Sequence, residues 1–418
     1  MLGRVKTTWD EYPQQFWTLF GGTLVNSVGS GLTMPFLSLY LTSRLNFSMT
    51  EVGVLYALYA AVSMISEVAA GPLIDRLGRK PIMLFSLFGG ALTNLGLGVA
   101  SLSPFAGGMA RLALLAVLIP FAGLTNTALV PATNAMVADL VDRDRRAQAY
   151  GLLRVVQNLG IAIGPAVGGF TAARSYLALF AIAALASALY GLIALLRLRE
   201  TKPQGTSAAQ VADSDAPSAQ GLGSVLRDRV FLLFGSLCLL WQSVYSQMNT
   251  TLPVYLDKSL GISPQWYGLL MSLNATMVVL LQFPITRFTD RYSRATMMAL
   301  GMAFFAVGFG SFGFVRALPL LFLAQAVWTM GEMIAMPVSQ AFVADIAPET
   351  MRGSYMGVFG LTWVIGYGLG PLLGGGVMDL AGGQYIWYAA FILDMLALAG
   401  FLALGRHLKQ RPSVSSSA

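Results

Sequence analysis

Apolar runs of about 20 residues alternate with short polar breaks along almost the whole chain. They predict twelve helices, centred near Ser27, Met64, Gly90, Gly123, Ile161, Ser187, Leu240, Thr276, Phe304, Val327, Val364 and Leu396. At about 1.5 Å of rise per residue, each run is long enough to cross a bilayer. The first run extends well past the short apolar core of a signal peptide, so it reads as a retained span. Two polar stretches interrupt the pattern. From Glu200 to Ser224 the chain reads ETKPQGTSAAQVADSDAPSAQGLGS, and its end reads RPSVSSSA. Such compositions cannot bury apolar surface and predict flexible or disordered segments. The expected fold is an all-α membrane protein of two six-helix bundles, residues 1–199 and 227–408. A flexible linker at 200–226 joins them, and a disordered tail follows at 409–418.

The chain also contains itself twice. Pro131 to Gly169 recurs as Pro337 to Gly375, offset by 206 without a gap. Gly53, Asp75, Arg76 and Arg79 recur at an offset of 215 as Gly268, Asp290, Arg291 and Arg294. An even number of spans per copy predicts parallel repeats, related by an axis along the membrane normal, with a site between them. The copies disagree at chemically telling places. Glu67 faces Gln282 in the alignment, Glu332 faces Asn126, and Arg154 faces Gly360. In the first two pairs a titratable acid stands against an amide that does not titrate.

Composition agrees with a membrane chain. Hydrophobic residues make up 56% and charged residues 11%, and mean hydropathy is +0.67. A water-soluble domain carries roughly 25% charged residues. The net charge of +7 is topological and does not point to nucleic acid. With both termini inside, the 26 Lys and Arg divide as twenty in inner segments and five in outer loops (Arg44, Arg111, Arg174, Lys258 and Arg316), with Arg154 inside a span. That asymmetry follows the positive-inside rule and predicts a cell membrane protein, inner or plasma, with cytoplasmic termini. A single cysteine, Cys238, excludes an internal disulfide framework, and a single histidine, His407, leaves no ordinary zinc cluster. No nucleophile or metalloprotease signature appears, so neither an enzyme nor a cofactor is expected.

The segment Gly71-Pro72-Leu73-Ile74-Asp75-Arg76-Leu77-Gly78-Arg79-Lys80 lies between the second and third spans. It resembles the signature loop of the major facilitator superfamily, G-x-L-x-D-R-x-G-R-K, at every consensus position. The resemblance implies a gating role for Gly71, Asp75, Arg76, Gly78, Arg79 and Lys80, with Asp290, Arg291 and Arg294 as the repeat of that loop. Topological anchoring by the basic residues is the plainer alternative. In the fifth span, Gly160, Gly164, Pro165, Gly168 and Gly169 resemble the antiporter motif of the same superfamily, G-x-x-x-G-P-x-x-G-G. Their spacing also suits close helix packing, and Gly366, Gly370, Pro371, Gly374 and Gly375 repeat it in the eleventh span. The fourth span departs from the family's basic motif, because Ile119 stands where its arginine would be relative to Gly123. Arg154 either takes over that basic role or pairs with Asp139 or Asp75.

Acids inside the spans remain. A charge at mid-bilayer costs at least about 2.5–3.5 kcal/mol, which marks Glu67, Glu332 and Asp394 as proton-coupling candidates. A structural hydrogen bond or ion pair is the alternative for each. The expected cavity combines Asn26, Ser30, Thr33, Asn126, Arg154 and Gln157 with Trp241, Gln242, Tyr245, Met248, Asn249, Asn274, Trp363 and Tyr367. Amides with aromatics and methionine suit an amphipathic ligand, although each aromatic or methionine alone is more often a packing or lipid contact. The resemblance implies alternating access by a monomer in the lipid bilayer. The reading is proton-coupled export of small amphipathic compounds, with protons as coupling ion, by the drug:proton antiporter branch. A carrier for one metabolite (a sugar, an amino acid or a siderophore) and a transport-inactive sensor are the alternatives.

Overall fold

The computed structural model describes residues 12–100, 102, 108–202, 224–348 and 351–410. Among the described residues, twelve helices are long and apolar enough to cross a membrane. They are α1 (Gln14–Arg44), α2 (Met49–Leu77), α3 (Arg79–Val99), α4 (Leu112–Leu140), α5 (Arg143–Ala172) and α6 (Tyr176–Arg197) in the first half. The second half holds α7 (Arg229–Ser259), α8 (Pro264–Thr289), α9 (Arg294–Ser311), α10 (Leu318–Ile346), α11 (Arg352–Leu380) and α12 (Gly383–Leu408). No β-strand occurs among the described residues. Because each half has six helices, α1 begins and α12 ends on one face, here the near face. The opposite face is the far face.

Local chemistry sets the boundaries. Ser48 and Glu51 form a reciprocal capping box at the start of α2. The Asp228 side chain accepts from the Val230 and Phe231 amides at the start of α7. Pro35 falls in a 3₁₀ turn, Met34–Phe36, that breaks α1, and a second 3₁₀ turn, Ser246–Met248, breaks α7. Most of the expected linker lies outside the described residues, but its first residue is fixed. Glu200 accepts from the backbone N–H groups of Arg79 and Lys80, both at 3.0 Å, and so caps the start of α3. The last helix runs on to Gln410, two residues into the expected tail, whose remainder lies outside the described residues.

The sequence repeat is also a repeat in space. In the first half Ser27 packs on Gly160 and Gly31 on Gly164, joining α1 to α5. In the second half Gln242 packs on Gly366 and Ser246 on Gly370, joining α7 to α11 in the same register. Tyr40 of α1 donates to the Leu97 carbonyl and rests against Phe180. Its counterpart Tyr255 donates to the Phe312 carbonyl and rests against Trp387.

The two halves meet through α2 with α11 and α5 with α8, and they meet at the far face. Gly53 faces the backbone of Leu372 with no room for a Cβ, and Gly375 faces the backbone of Met49 in the same way. Gly268 and Pro165 touch across the second seam. Asp379, at the far end of α11, accepts from the backbone of Met49 at 3.1 Å and Thr50 at 2.7 Å, and from the Thr50 hydroxyl at 2.6 Å. Lys258 donates to the Thr42 carbonyl at 2.9 Å, and Ser43 to Asp257 at 3.3 Å. Toward the near face the same helices part. Among the described residues, nothing lies within 4 Å of the space a Cβ would take at Gly71, Gly151, Gly357 or Gly360. The molecule is closed at the far face and open at the near face.

Candidate functional site

In the second half, α7, α8, α10 and α11 converge on one carboxylate. Glu332 of α10 accepts from the Tyr245 hydroxyl at 2.8 Å and from the Asn274 side-chain amide. Asn274 also donates to Thr329 at 3.1 Å, and Thr329 is tied to the Gln325 carbonyl at 2.8 Å. Trp241 and Tyr245 sit one turn apart on α7, and Trp363 and Tyr367 one turn apart on α11, so each pair presents two rings to one side. The Trp241 and Trp363 rings meet edge to face at 5.2 Å, and Tyr245 meets Trp363 at 5.8 Å and Tyr367 at 6.3 Å. Trp328 closes the back, 5.9 Å from Tyr245. Glu332, Asn274, Trp363 and Tyr367 remain partly exposed, whereas Trp241 is 1% exposed. The result is an acid with two neutral hydrogen-bond donors beside an aromatic cage in which Trp241 and Trp328 are packed away and Trp363 and Tyr367 stay partly exposed.

The first half holds a cavity of ≈ 120 Å³ among α1, α2, α3, α4 and α6. Asn26, Ser30, Thr33, Tyr56, Tyr59, Ser86, Asn94, Asn126 and Ser187 supply its polar wall, and among the described residues no charged side chain lines it. Ser187 donates to the side-chain oxygen of Asn26 at 2.9 Å, and Tyr59 faces Asn126. Tyr56 of α2 is 7% exposed and lines this cavity.

At the near face, Arg79 bonds Asp139 at 2.9 Å and Asp75 at 3.4 Å. The repeat is built alike, with Arg294 3.0 Å from Asp290 and 3.3 Å from Asp345. Gly78 adopts φ +103, which lets α3 start one residue after α2 ends. Lys80 donates to the Leu195 and Leu198 carbonyls at the end of α6, both at 2.8 Å. Arg76 and Arg291 point outward, and Gly71 touches nothing here.

Other residues expected at a site divide cleanly. Glu67 and Arg154 are exposed on the faces of α2 and α5 that continue the two inter-half seams toward the open end. Asp139 and Asp75 are engaged by Arg79, not by Arg154. Gln157 is half-buried on α5, and Asn249 faces Tyr367. Gln242 is 0% exposed and packs on Gly366, so it is a seam residue and not a cavity wall. Gly160, Gly164 and Gly168 pack on α1, while Pro165 and Gly169 pack on α8. Met248 is buried, and its carbonyl accepts from Tyr267 at 3.0 Å. Asp394 is 0% exposed, both its oxygens lack partners among the described residues, and it lies on the buried face of α12 with Ala390 and Ala397.

Sequence reading missed Tyr56, Tyr59, Ser86, Asn94 and Asp379. For Tyr59 a signal existed, since the offset of 215 pairs it with Asn274. Asp379 gave none, because its role is to cap a helix 329 residues away in the chain.

Comparison with known proteins supplies the lineage. The chain matches the Major Facilitator Superfamily over residues 19–263 and 248–417. It is 27% identical over 399 residues to the uncharacterized MFS-type transporter YqjV of Bacillus subtilis (strain 168), covering 94% of each chain. It is 24% identical to a Na(+), Li(+), K(+)/H(+) antiporter of Planococcus maritimus, over 92% of this chain and 94% of that one. The multidrug resistance protein MdtH of Yersinia pestis (strain Pestoides F) is also 24% identical, over 92% and 93%. The solved nucleoside transporter NupG superposes with a TM-score of 0.77 at 16% identity, over 96% of this chain and all of that one. The twelve spans, the repeated halves and these matches together make the chain a member of the Major Facilitator Superfamily of membrane transporters.

Proposed function

We propose that this carrier exports small amphipathic cations in exchange for protons. The observation that carries the reading is Glu332, an acid held by Tyr245 and Asn274 beside the aromatic cage. A cation over a desolvated ring face gains about 2 kcal/mol, and the carboxylate adds a charge that a neutral ligand does not use. A proton and a cationic ligand compete for that one carboxylate, which is the minimum requirement for antiport. Each proton entering down 100 mV supplies about 2.3 kcal/mol. Antiporter and multidrug relatives at 24% identity fit this reading without fixing the substrate.

The cycle follows from the seams. With the near face cytoplasmic, the ligand enters the open cleft past Glu67 and Arg154 and reaches the cage. The far seams at Gly53–Leu372 and Pro165–Gly268 then part as the halves rock and the near face closes. Asp75, Arg79 and Asp139, with their repeat at Asp290, Arg294 and Asp345, brace the near ends of three helices within each half, and gating by these loops requires contacts across the halves that form when the near face closes. Glu67 serves as a relay in the cleft, and Asp394 stands apart from this path. The carrier acts as a monomer in the cell membrane with both termini cytoplasmic.

The test is uptake of tetraphenylphosphonium by inside-out proteoliposomes under an imposed pH gradient. Parent protein is expected to accumulate the cation, and Glu332→Gln to lose at least 90% of gradient-driven uptake while still binding the ligand weakly. Uptake by Glu332→Gln at the parent rate overturns the assignment.

A further inference from the structure

The two seams between the halves are one seam built twice, and they end differently. Gly375 of α11 faces the backbone of Met49 and Thr50, and Gly169 of α5 faces the backbone of Pro264 and Gln265 in the same way. The repeat offsets of 206 and 215 turn the first contact into the second. One turn further out on α11, Asp379 sets its carboxylate on the Met49 and Thr50 amides. Its counterpart on α5 is Ala173. The start of α8 therefore lacks the acid that the start of α2 has. Pro264 has no N–H to give, and the Gln265 N–H has no partner among the described residues. The Ser263 side chain does not cap the helix and donates to the Gln265 side chain instead.

At the place of the missing carboxylate lies a far-face pocket of ≈ 420 Å³. Ala173 and Gln265 line it, together with Arg44, Tyr176 and Asp257. Tyr176 is 7% exposed, yet its hydroxyl makes no hydrogen bond among the described residues. The Arg44 guanidinium lies 5.8 Å from the Tyr176 ring centroid and forms no ion pair among the described residues. A helix N-terminus, an unpaired guanidinium and a free hydroxyl together suit a carboxylate. Asp257 sits in the π turn Tyr255–Ser259 of α7 and accepts from the Ser43 hydroxyl at 3.3 Å through one oxygen. Its charge repels a second anionic group and attracts an ammonium. Arg44 belongs to the first half and Asp257 to the second, so a guest carrying both charges touches both halves.

We propose that this pocket is a far-face effector site for a small zwitterion of the amino-acid type. The guest's carboxylate takes the place of the missing aspartate, on the Gln265 amide, Arg44 and Tyr176, and its ammonium group meets Asp257. Because the walls come from both halves, the pocket is whole only while the far seams are closed. A ligand that binds one state shifts the equilibrium toward it, so the bound zwitterion clamps the far face shut. The site lies outside the path to Glu332 and stands whatever Glu332 binds.

The experiment uses two full-length chains in nanodiscs, each with Cys238→Ser and one new thiol, and follows reaction with trimethylammonioethyl methanethiosulfonate. In the first chain, Ala173→Cys puts the thiol in the pocket. Saturating glycine is expected to slow its reaction about fivefold, and acetate or methylammonium less than twofold. Arg44→Gln or Asp257→Asn, added to that chain, is expected to bring the glycine effect below twofold. No slowing by glycine, or slowing that survives both substitutions, overturns the site. In the second chain, Met49→Cys puts the thiol in the other far seam, where Met49 is 3% exposed and its reaction reports opening of the far face. Glycine is expected to slow that reaction about fivefold. Ala173→Asp, which supplies the carboxylate covalently as Asp379 does, is expected to slow it by as much without glycine and to leave glycine without effect. A rate that neither glycine nor Ala173→Asp changes overturns the clamp.

Discussion

Three acids inside spans looked alike in the sequence, and their surroundings separate them. Glu332 has two donors and a cage, Glu67 faces an open cleft, and Asp394 is buried with no partner among the described residues. Hydrophobic patterning shows that an acid lies within a span, but not which way its helix turns, so this distinction was not legible in advance. The register does add something, because Phe180 and Trp387 correspond through their tyrosines, which puts Asp394 at the position of Ser187. Ser187 is satisfied by Asn26, whereas the residue corresponding to Asn26 in the second half is Trp241. A buried carboxyl without partners is a net cost that an apolar side chain of similar size removes. Asp394→Val is therefore expected to leave stability unchanged or raise it by about 1 kcal/mol, roughly 1–3 °C in thermal midpoint. A fall of several degrees would show that the carboxyl has a structural partner. Loss of gradient-driven transport at unchanged stability would bring it into the proton path.

At the scale of elements, helix starts carry the switchable chemistry, and two of them are capped by acids from elsewhere in the chain. Glu200 caps α3 from the end of α6 within one half. Partial burial pushes its carboxyl up, but backbone N–H groups of Lys202, Arg79, Lys80 and Thr201 outweigh this and hold it below the usual range. A depressed carboxylate stabilises the fold above its unfolded-state range and loses that contribution as pH falls through the folded value. Protection factors of the Arg79 and Lys80 amides are expected to fall as the pH drops below the usual carboxylate range, and to be low at neutral pH in Glu200→Ala. Protection that persists in the variant would mean that the cap is held by something else. Asp379 caps α2 from the other half, so it stabilises one conformation against another. Charged hydrogen bonds exceed neutral ones by about 1 kcal/mol, so Asp379→Asn should shift the equilibrium about fivefold toward the far-open state. Distances between spin labels on the far ends of α2 and α11 report that shift, and an unchanged distribution removes Asp379 from the gate. Linear sequence exposes Ser48-x-x-Glu51 as a cap because the box is local. It cannot expose a cap supplied across the molecule.

At the scale of the whole molecule, the duplication made the twelve-helix fold and the paired bundles readable, since equal glycine and proline positions imply equal seams. It did not say which end of each seam is closed, because a rocking carrier has the same sequence in every state. The closed end is instead read from space left for a Cβ. At Gly375 the backbone of Met49 occupies that space, while at the adjacent Gly376 nothing lies within 4 Å. The two positions share composition, depth and helix, so a pair of substitutions isolates the seam. Gly375→Val forces α2 and α11 apart at the far face only, whereas Gly376→Val meets no neighbour. Gly375→Val is therefore expected to insert normally, to hold the carrier far-open, and to reduce transport at least tenfold. It should also make a cysteine placed on the far end of α2 reactive to membrane-impermeant reagents. Gly376→Val is expected to transport within about twofold of the parent and to leave that cysteine protected. Equal behaviour of the two variants would mean that the far seam is not what alternates, and the rocking halves would then need a different hinge.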